Sequence, residues 1–189
     1  MTLSNGSNSY SGLTTLNSGT LAISGSDRIG SGSSALTVAG GTLSLGSTTQ
    51  YFSSVAINGG TIQNGTLGAL SFTATNAGAA TISANLVDGI TADGVTTAAP
   101  LTMNGTGTLT LSGTNTYTGA TTINSSRVLV DGSLIAASSV TVGNNATLGG
   151  AGNGTTTGII NGNVSILSGG TLRRRQSSRH TPCAVRRNV

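Results

Sequence analysis

The sequence predicts an all-β protein whose short strands stack into a parallel β-helix, a β-solenoid of about eight coils. One observation is a recurring unit: an apolar residue, four or five small residues rich in Gly, Asn or Ser, and a second apolar residue. A second is local alternation of apolar with small or polar residues, the pattern of half-buried strands. A third is composition, because 30 glycines and only 3% aromatic residues leave little beyond aliphatic side chains for a core.

The recurring unit defines the coils. It is seen as LNSGTL at 16–21, VAGGTL at 38–43 and INGGTI at 57–62, and its weakest copy is ATNAGAATI at 74–82. The closing apolar residues lie 19 to 27 residues apart: Leu21, Leu43, Ile62, Ile82, Leu109, Val128, Leu148 and Leu172. A unit of this length cannot bury an apolar face alone but can do so when stacked on copies of itself. We therefore expect Leu43, Ile62, Leu109, Val128, Leu148 and Leu172 to lie in register on successive coils.

Strands of three to five residues are expected where apolar residues alternate, for example at Leu36–Val38, Leu109–Leu111 and Val140–Val142. Gly and Asn between the strands favour corners, where a positive φ is often needed. No stretch of a dozen residues has a 3.6-residue period, and the glycine content disfavours helices. Outward Thr and Ser are expected to form ladders between coils.

Charge divides the chain into two parts. Residues 1–172 hold two arginines and four aspartates, a net charge of −2, whereas residues 173–189 hold six arginines and no acid. The predicted organisation is a β-helical repeat region at 1–172 followed by a basic, disordered tail at 173–189. The body itself does not indicate a nucleic-acid partner. No stretch is apolar enough for a membrane helix, and the single Cys183, in the tail, allows no internal disulfide.

The tail has three interpretations: an anionic-surface or nucleic-acid patch, a disordered basic end, or sequence read in a shifted frame. The third is favoured because composition changes directly after Leu172, and a one-base shift at Arg179–Pro182 can encode Gly-Thr-Leu. The genomic DNA distinguishes these interpretations. Repeats in the shifted frame would mean that the tail has no evolved function.

Catalytic groups are few in the body, which lacks His, Cys, Lys and Glu, so that serine or cysteine nucleophiles have no base. Asp88 and Asp93 lie in the longest excursion between coils, residues 83–100. They can be read as a paired-carboxylate or cation site, or as Asp-Gly turns like Asp131-Gly132, and the turn reading is preferred. We predict no catalytic, metal or cofactor site.

Other motifs are also better explained by structure or composition than by a functional site. Gly149–Gly154 partly matches a calcium-binding glycine repeat but occurs once, so a corner turn is preferred. Asn-x-Ser/Thr sequences, including those at Asn64 and Asn104, are expected from composition alone. Tyr10 and Tyr117 are either exposed contact residues or, as we prefer, caps on aliphatic columns with their hydroxyls at the edge.

Two segments share one motif. MTLSNGSNSYSGLTTLNSGTLAISG (1–25) aligns, with one inserted residue, to LTLSGTNTYTGATTINSSRVLVDG (109–132), which places Tyr10 on Tyr117 and Asn17 on Asn124. This motif, and residues 105–172 as a whole, resemble the passenger-associated repeat of bacterial autotransporters. Where the family usually has Ser-Gly-Thr-Leu, this chain has Ser126-Arg127-Val128, which requires Arg127 to point to solvent.

The resemblance implies a right-handed β-helix that is exported to the bacterial cell surface, the outer membrane or the medium. A signal peptide and a C-terminal β-barrel translocator belong to such a protein, and because residue 1 already lies inside a repeat we expect a longer parent. The favoured function is a structural stalk segment. The alternative is an adhesin-type binding module that contacts host glycans, matrix or sister cells, and a polysaccharide-active enzyme is disfavoured by the missing bases. Self-association through open coil ends is also expected.

Overall fold

The computed structural model describes residues 1–3, 8, 10–24, 29, 33–135, 137–150 and 158–173. These residues form 22 β-strands, numbered here in chain order, and contain no helix. The tail from residue 174 onward lies outside the described residues, so the predicted division at Leu172 stays a prediction.

The first sheet takes one strand from nearly every coil. Its strands, in spatial order, are β1 (Thr2–Leu3), β3 (Thr20–Ile23), β5 (Thr42–Phe52), β7 (Gly60–Ala69), β9 (Ala79–Ile82), β13 (Thr108–Leu111), β16 (Arg127–Val130), β19 (Thr147–Gly149) and β22 (Thr171–Arg173). Two further strands, β10 (Asn85–Ile90) and β11 (Thr96–Thr97), extend this sheet from the side of β7.

The second sheet has eight strands and the third has three. The second contains β2 (Thr14–Leu16), β4 (Ala35–Val38), β6 (Ser54–Ile57), β8 (Phe72–Ala74), β12 (Leu101–Met103), β15 (Thr121–Ile123), β18 (Val140–Val142) and β21 (Val164–Ile166). The third contains β14 (Thr114–Asn115), β17 (Ser133–Leu134) and β20 (Ile159–Ile160).

The chain winds through these sheets as a β-solenoid of about eight turns. Apart from the β10–β11 pair, neighbouring strands within each sheet are parallel and come from successive coils, as β4 and β6 do. The predicted β-solenoid is therefore confirmed. Positive φ angles at Asn64 and Asn145 also confirm that asparagine occupies corners.

The second sheet stacks two inward columns of mainly aliphatic side chains across its strands. Met103, for example, lies between Ala74 on β8 and Ile123 on β15, and all three are buried. Because each such side chain is covered by the coils on either side, the core is continuous along the solenoid.

The first sheet differs from the prediction that the closing apolar residues stack in a single column. Leu43 and Ile62 share a column that continues to Ile82 and then to Leu111. Leu109 instead pairs with Ala80. It begins a second column, which continues through Val128, Leu148 and Leu172 and lies two residues along the strands from the first column. The closing apolar residues therefore occupy two adjacent inward columns on one face of the sheet.

The change of column has its origin in the corner of the weakest repeat, 74–82. Four residues lie between Ile57 and Ile62 along the chain, whereas seven lie between Ala74 and Ile82, so the corner is longer. Asn76, fully buried, fills this longer corner and donates from Nδ2 to the carbonyls of Gly78 (2.6 Å) and Thr108 (3.0 Å). A buried polar group is retained where it supplies hydrogen bonds that the enlarged turn would otherwise lack.

Strand length is a second correction, because β5 and β7 span 11 and 10 residues instead of three to five. The two strands bend together: Gly46 and Ser47 have φ values of 57° and 65°, and Asn64 has 61°. The pairing of β5 with β7 shifts register between Ser44 and Thr48. The left-handed residues turn the corner without ending the ladder.

Glycine is required at the corner that precedes the first sheet. Gly19, Gly41 and Gly60 lie one above another with φ values of 74°, 71° and 74°. A Cβ at Gly60 would lie 2.6 Å from the carbonyl oxygen of Gly41, so no side chain fits between the coils there.

Leu109→Asp should melt the coils around it, because Leu109 is fully buried between Ala80 and Val128. A buried unpaired charge should lower the free energy of unfolding by more than the roughly 2–5 kcal/mol of a buried Leu→Ala change. Denaturant titration followed by far-UV circular dichroism measures this loss. Thr110→Asp, on the outer face of the same strand, is the matched control and should cost less than about 1 kcal/mol; equal losses would contradict the assigned facing of β13.

Candidate functional site

Residues 83–100 form the only antiparallel pairing among the described strands. Strand β10 runs parallel to β7 and then pairs with β11 in a hairpin, with Gly89 opposite Thr97 and Ile90 opposite Thr96. The hairpin tip is closed by hydrogen bonds between Thr91 and Val95. Insertions of this kind are where repeat proteins commonly carry binding functions.

Asp88 fastens the base of this hairpin to the next coil. Its Oδ1 accepts the backbone N–H groups of Ala99 (3.0 Å) and Thr118 (2.8 Å), and its Oδ2 accepts the Thr118 hydroxyl at 2.7 Å. The carboxylate thus receives two backbone donors at the place where the chain leaves and rejoins the coil.

The three described aspartates therefore differ. Asp93 and Asp131 lie in turn or bend segments, as predicted. Asp88 is different: it lies within strand β10, so its predicted role as an Asp-Gly turn residue is wrong. The turn reading fails there because Gly89 continues the hairpin ladder.

The described residues contain no group of three or more His, Cys, Asp or Glu side chains that could hold a metal ion. Gly149 of the glycine run ends strand β19, and residues 151–154 of that run lie outside the described part of the chain. Among the described residues, no helix is long and apolar enough to span a membrane.

Tyr117 is fully buried, which corrects the expectation that its hydroxyl reaches the edge of the core. Its ring packs against Phe72 with centroids 6.2 Å apart and planes tilted by 54°. The hydroxyl lies 2.7 Å from Oγ1 of Thr121, which in turn lies 3.3 Å from Oγ of Ser138 on the following coil. Ser138 completes the chain by donating to the carbonyl of Gly119 at 3.0 Å.

Burial also determines the acidity of Tyr117. Removal from water disfavours the phenolate and raises the pKa of Tyr117 to about 12, although the hydrogen bonds to Thr121 and Ser138 act in the opposite direction. The phenol is therefore a neutral structural group at physiological pH.

Tyr10 makes the same local contact in the first copy of the motif. The Thr14 hydroxyl donates to the Tyr10 hydroxyl at 3.1 Å, the same four-residue spacing as between Tyr117 and Thr121. Tyr10 is nevertheless 43% exposed, because β2 is an edge strand and no coil among the described residues covers its far side. The hydrogen bond belongs to the motif, and the burial comes from neighbouring coils.

The asparagine that ends the motif also links coils. Asn124 follows strand β15 and donates from Nδ2 to Oδ1 of Asn104, 2.6 Å away on the preceding coil. Both side chains are exposed at the corner, so this contact extends the ladder of backbone hydrogen bonds onto the surface.

A comparison with known families finds the same two segments. The passenger-associated-transport-repeat family matches residues 1–23 and 101–125. The chain carries autotransporter passenger repeats. No curated protein and no solved structure matches the chain.

In each passenger repeat the threonine of the pair begins a strand of the second sheet, β2 in one copy and β15 in the other, and the tyrosine lies four residues before it. The one departure from the family pattern is accommodated as predicted, because Arg127 is exposed at the start of β16. The tyrosine and threonine of the repeat therefore help to build the coil that they begin.

Alkaline titration should identify Tyr117 by its raised pKa. The folded chain holds this proton up to about pH 12, whereas the unfolded chain loses it near 10.0. Stability from the neutral buried phenol is thus fully present below pH 10 and is lost as pH rises toward 12, by about 2–3 kcal/mol. Ultraviolet difference absorbance and denaturant titration across this range measure both effects.

Tyr117→Phe is the matched variant, since it keeps the ring against Phe72 and removes the titrating group. It should flatten the decline in stability between pH 10 and 12. An unaltered decline in Tyr117→Phe would contradict the assignment.

Proposed function

We propose that the chain is a structural stalk segment of an autotransporter passenger, displayed on or released from the surface of a bacterium. The main observation that supports this proposal is the unbroken ladder of parallel strands that runs from β3 to β22 through successive coils. At about 4.8 Å per coil, eight coils make a rod on the order of 40 Å long, which suits a spacer.

The outer face of the second sheet supports a spacer role. Its central column is neutral, with threonine at six of eight rungs: Thr15, Thr37, Thr73, Thr102, Thr122 and Thr141, with Ala56 and Ser165 at the other two. Such a surface is well suited to contact with water along the whole rod.

The polar groups that catalysis would require have structural partners instead. Asp88 accepts three hydrogen bonds within the fold, and Tyr117 is buried with its hydroxyl on Thr121. This supports a structural rather than an enzymatic role.

Two partners follow from the proposal. One is a C-terminal β-barrel translocator in the parent protein. The other is a second copy of the chain, because inward column residues of the last described coil are exposed: Val164 (38%), Ile166 (45%) and Leu172 (55%). An exposed strand row with apolar side chains is a template for pairing with another coil.

Display on cells tests the stalk function. The chain is placed between an N-terminal epitope tag and an unrelated β-barrel translocator in a Gram-negative host. We expect the tag to be accessible to antibody on intact cells and the rod to resist added protease. Leu109→Asp should make the rod protease-sensitive, and an inaccessible tag on the unaltered chain would contradict the proposal.

Sedimentation velocity tests the self-association. The unaltered chain should form assemblies whose size grows with concentration, and Ile166→Asp should reduce them because it puts a charge on the exposed apolar end. Ser165→Asp is the matched control, with the same charge on the outward side of the same strand. A monodisperse monomer at tens of micromolar would contradict the expectation.

An adhesin-type module that contacts host glycans or matrix is the second candidate. One local feature favours it, namely the shallow groove beside the β10–β11 hairpin, which is lined by Tyr51, Thr66 and Thr116 among others.

A further inference from the structure

Large apolar side chains are exposed mainly at the two ends of the solenoid. Among the described residues, those exposed at the ends are Met1, Tyr10 and Leu13 at the first coils, and Ile159, Val164, Ile166, Leu167 and Leu172 at the last coil. Val95, at the tip of the hairpin, is the exception. Exposed apolar residues that cluster in this way mark surfaces for protein–protein contact, so the ends of the rod are candidate interfaces.

The N-terminal end carries a hollow of about 490 Å³, lined by residues of β1, β2 and β3 together with Tyr10. Leu3, Leu16 and Leu21 supply much of its apolar lining. Strand β2 is an edge strand, so its inward residues Thr14 and Leu16 are covered by β4 on one side only and are half-buried. A strand that paired with the free edge of β2 would cover this hollow.

The C-terminal end presents the other edge of the same sheet. Strand β21 continues both inward columns, since Val164 pairs with Val140 and Ile166 with Val142. Its two inward side chains are 38% and 45% exposed, because no strand among the described residues lies on the far side of β21. Pairing of this edge with the free edge of β2 in another copy would repeat the parallel hydrogen-bond pattern of the whole sheet.

The first sheet leaves room for the same contact. The inward column that contains Leu172 leads back, coil by coil, to the position of Gly19 in the first coil. In that register β22 of a second copy would lie over residues 18–20, whereas β1 pairs with Ala22 and Ile23. The two strands therefore occupy adjacent segments of one edge and do not compete for it.

We propose that copies of the chain stack head to tail, with β21 of one copy paired to β2 of the next. Val164 then lies over Thr14 of the next copy, and Ile166 lies over Leu16, so both inward columns continue across the junction. The inference rests on the self-association proposed above and specifies its two surfaces and their register. Because a head-to-tail contact leaves one free end of each kind, the stack grows into a filament.

Two charge variants test the direction of stacking by sedimentation velocity. Thr14→Asp puts a carboxylate on the inward side of the first edge, and Val164→Asp puts one on the inward side of the last edge, where pairing would bury it without a partner. Each variant alone should lose its association, because head-to-tail growth needs both ends. An equimolar mixture should form dimers and nothing larger, since each variant keeps the end that the other has lost.

Cysteine pairs test the register. On the outer face of the stack Ser165 lies beside Thr15 of the next copy at about 4.8 Å, a Cα separation that a disulfide can span. With Cys183→Ser as background, the Thr15→Cys/Ser165→Cys chain should give a ladder of covalent multimers on oxidation, read by non-reducing electrophoresis. Seven strand spacings separate the two positions within one chain, so an intrachain disulfide cannot form. Thr37→Cys/Ser165→Cys, with the first cysteine one coil further in, is the matched control and should give no ladder.

Dimers from the mixed charge variants and a ladder from the Thr15–Ser165 pair support the proposal. It would be overturned by an unaltered chain that stays monomeric, by association of Thr14→Asp alone, or by Ser165→Cys alone giving disulfide dimers as the main product, since the last two indicate tail-to-tail pairing. Far-UV circular dichroism checks each fold, and the cysteine pairs, which lie on the outer face, decide the matter if Thr14→Asp unfolds. None of these failures affects display of the rod on cells, so the stalk function is tested separately.

Discussion

Everything in this structure depends on the register between one coil and the next. An inward side chain such as Leu109 is buried only because Ala80 and Val128 lie directly on either side of it in the ladder. A shift of one residue would turn the apolar set outward. The glycine column at Gly19, Gly41 and Gly60 serves the same constraint, since it lets corners stack as closely as strands do. The high glycine content is thus a consequence of coil-to-coil contact.

Polar side chains enter the core where coils differ in length. Asn76 fills the longer corner at which the first sheet changes column. Asn115 also supplies buried hydrogen bonds, beside the hairpin. Its Oδ1 accepts the N–H of Leu86, and its Nδ2 donates to the carbonyls of Gly113 and Ser133. These bonds join three consecutive coils. Buried amides therefore stabilise the register where the repeat is irregular, because each one replaces backbone hydrogen bonds that unequal coils cannot form.

The coils and most of the strands were predictable from the sequence, because alternation and repeat spacing directly reflect which side chains face inward. The burial of Tyr117 was missed, although its signal is present. From Leu109 to Ile123 every second residue is buried, straight through the polar Asn115 and Tyr117. Hydrophobicity alone hides this continuity. Tyr10 shares the motif of Tyr117 but is exposed. The burial of such a residue depends on the neighbouring coils, which a local motif does not specify. The position of Asp88 within a strand was unpredictable for the same reason, because β10 forms by pairing with β7 and β11, which the local Asp-Gly sequence does not specify.

Recognition and stability are separated in this architecture. A change on an inward column disturbs the coils on both sides, so the columns leave little freedom for evolving a binding surface. The hairpin is different, because only its base joins the ladder, through β10 on β7 and the Asp88 contacts to Ala99 and Thr118. Its tip, including the exposed Val95, is closed by hydrogen bonds between Thr91 and Val95. Sequence changes at that tip can therefore be accepted while the register of the rod is kept, and an insertion on a solenoid is for this reason a suitable position for new surface functions.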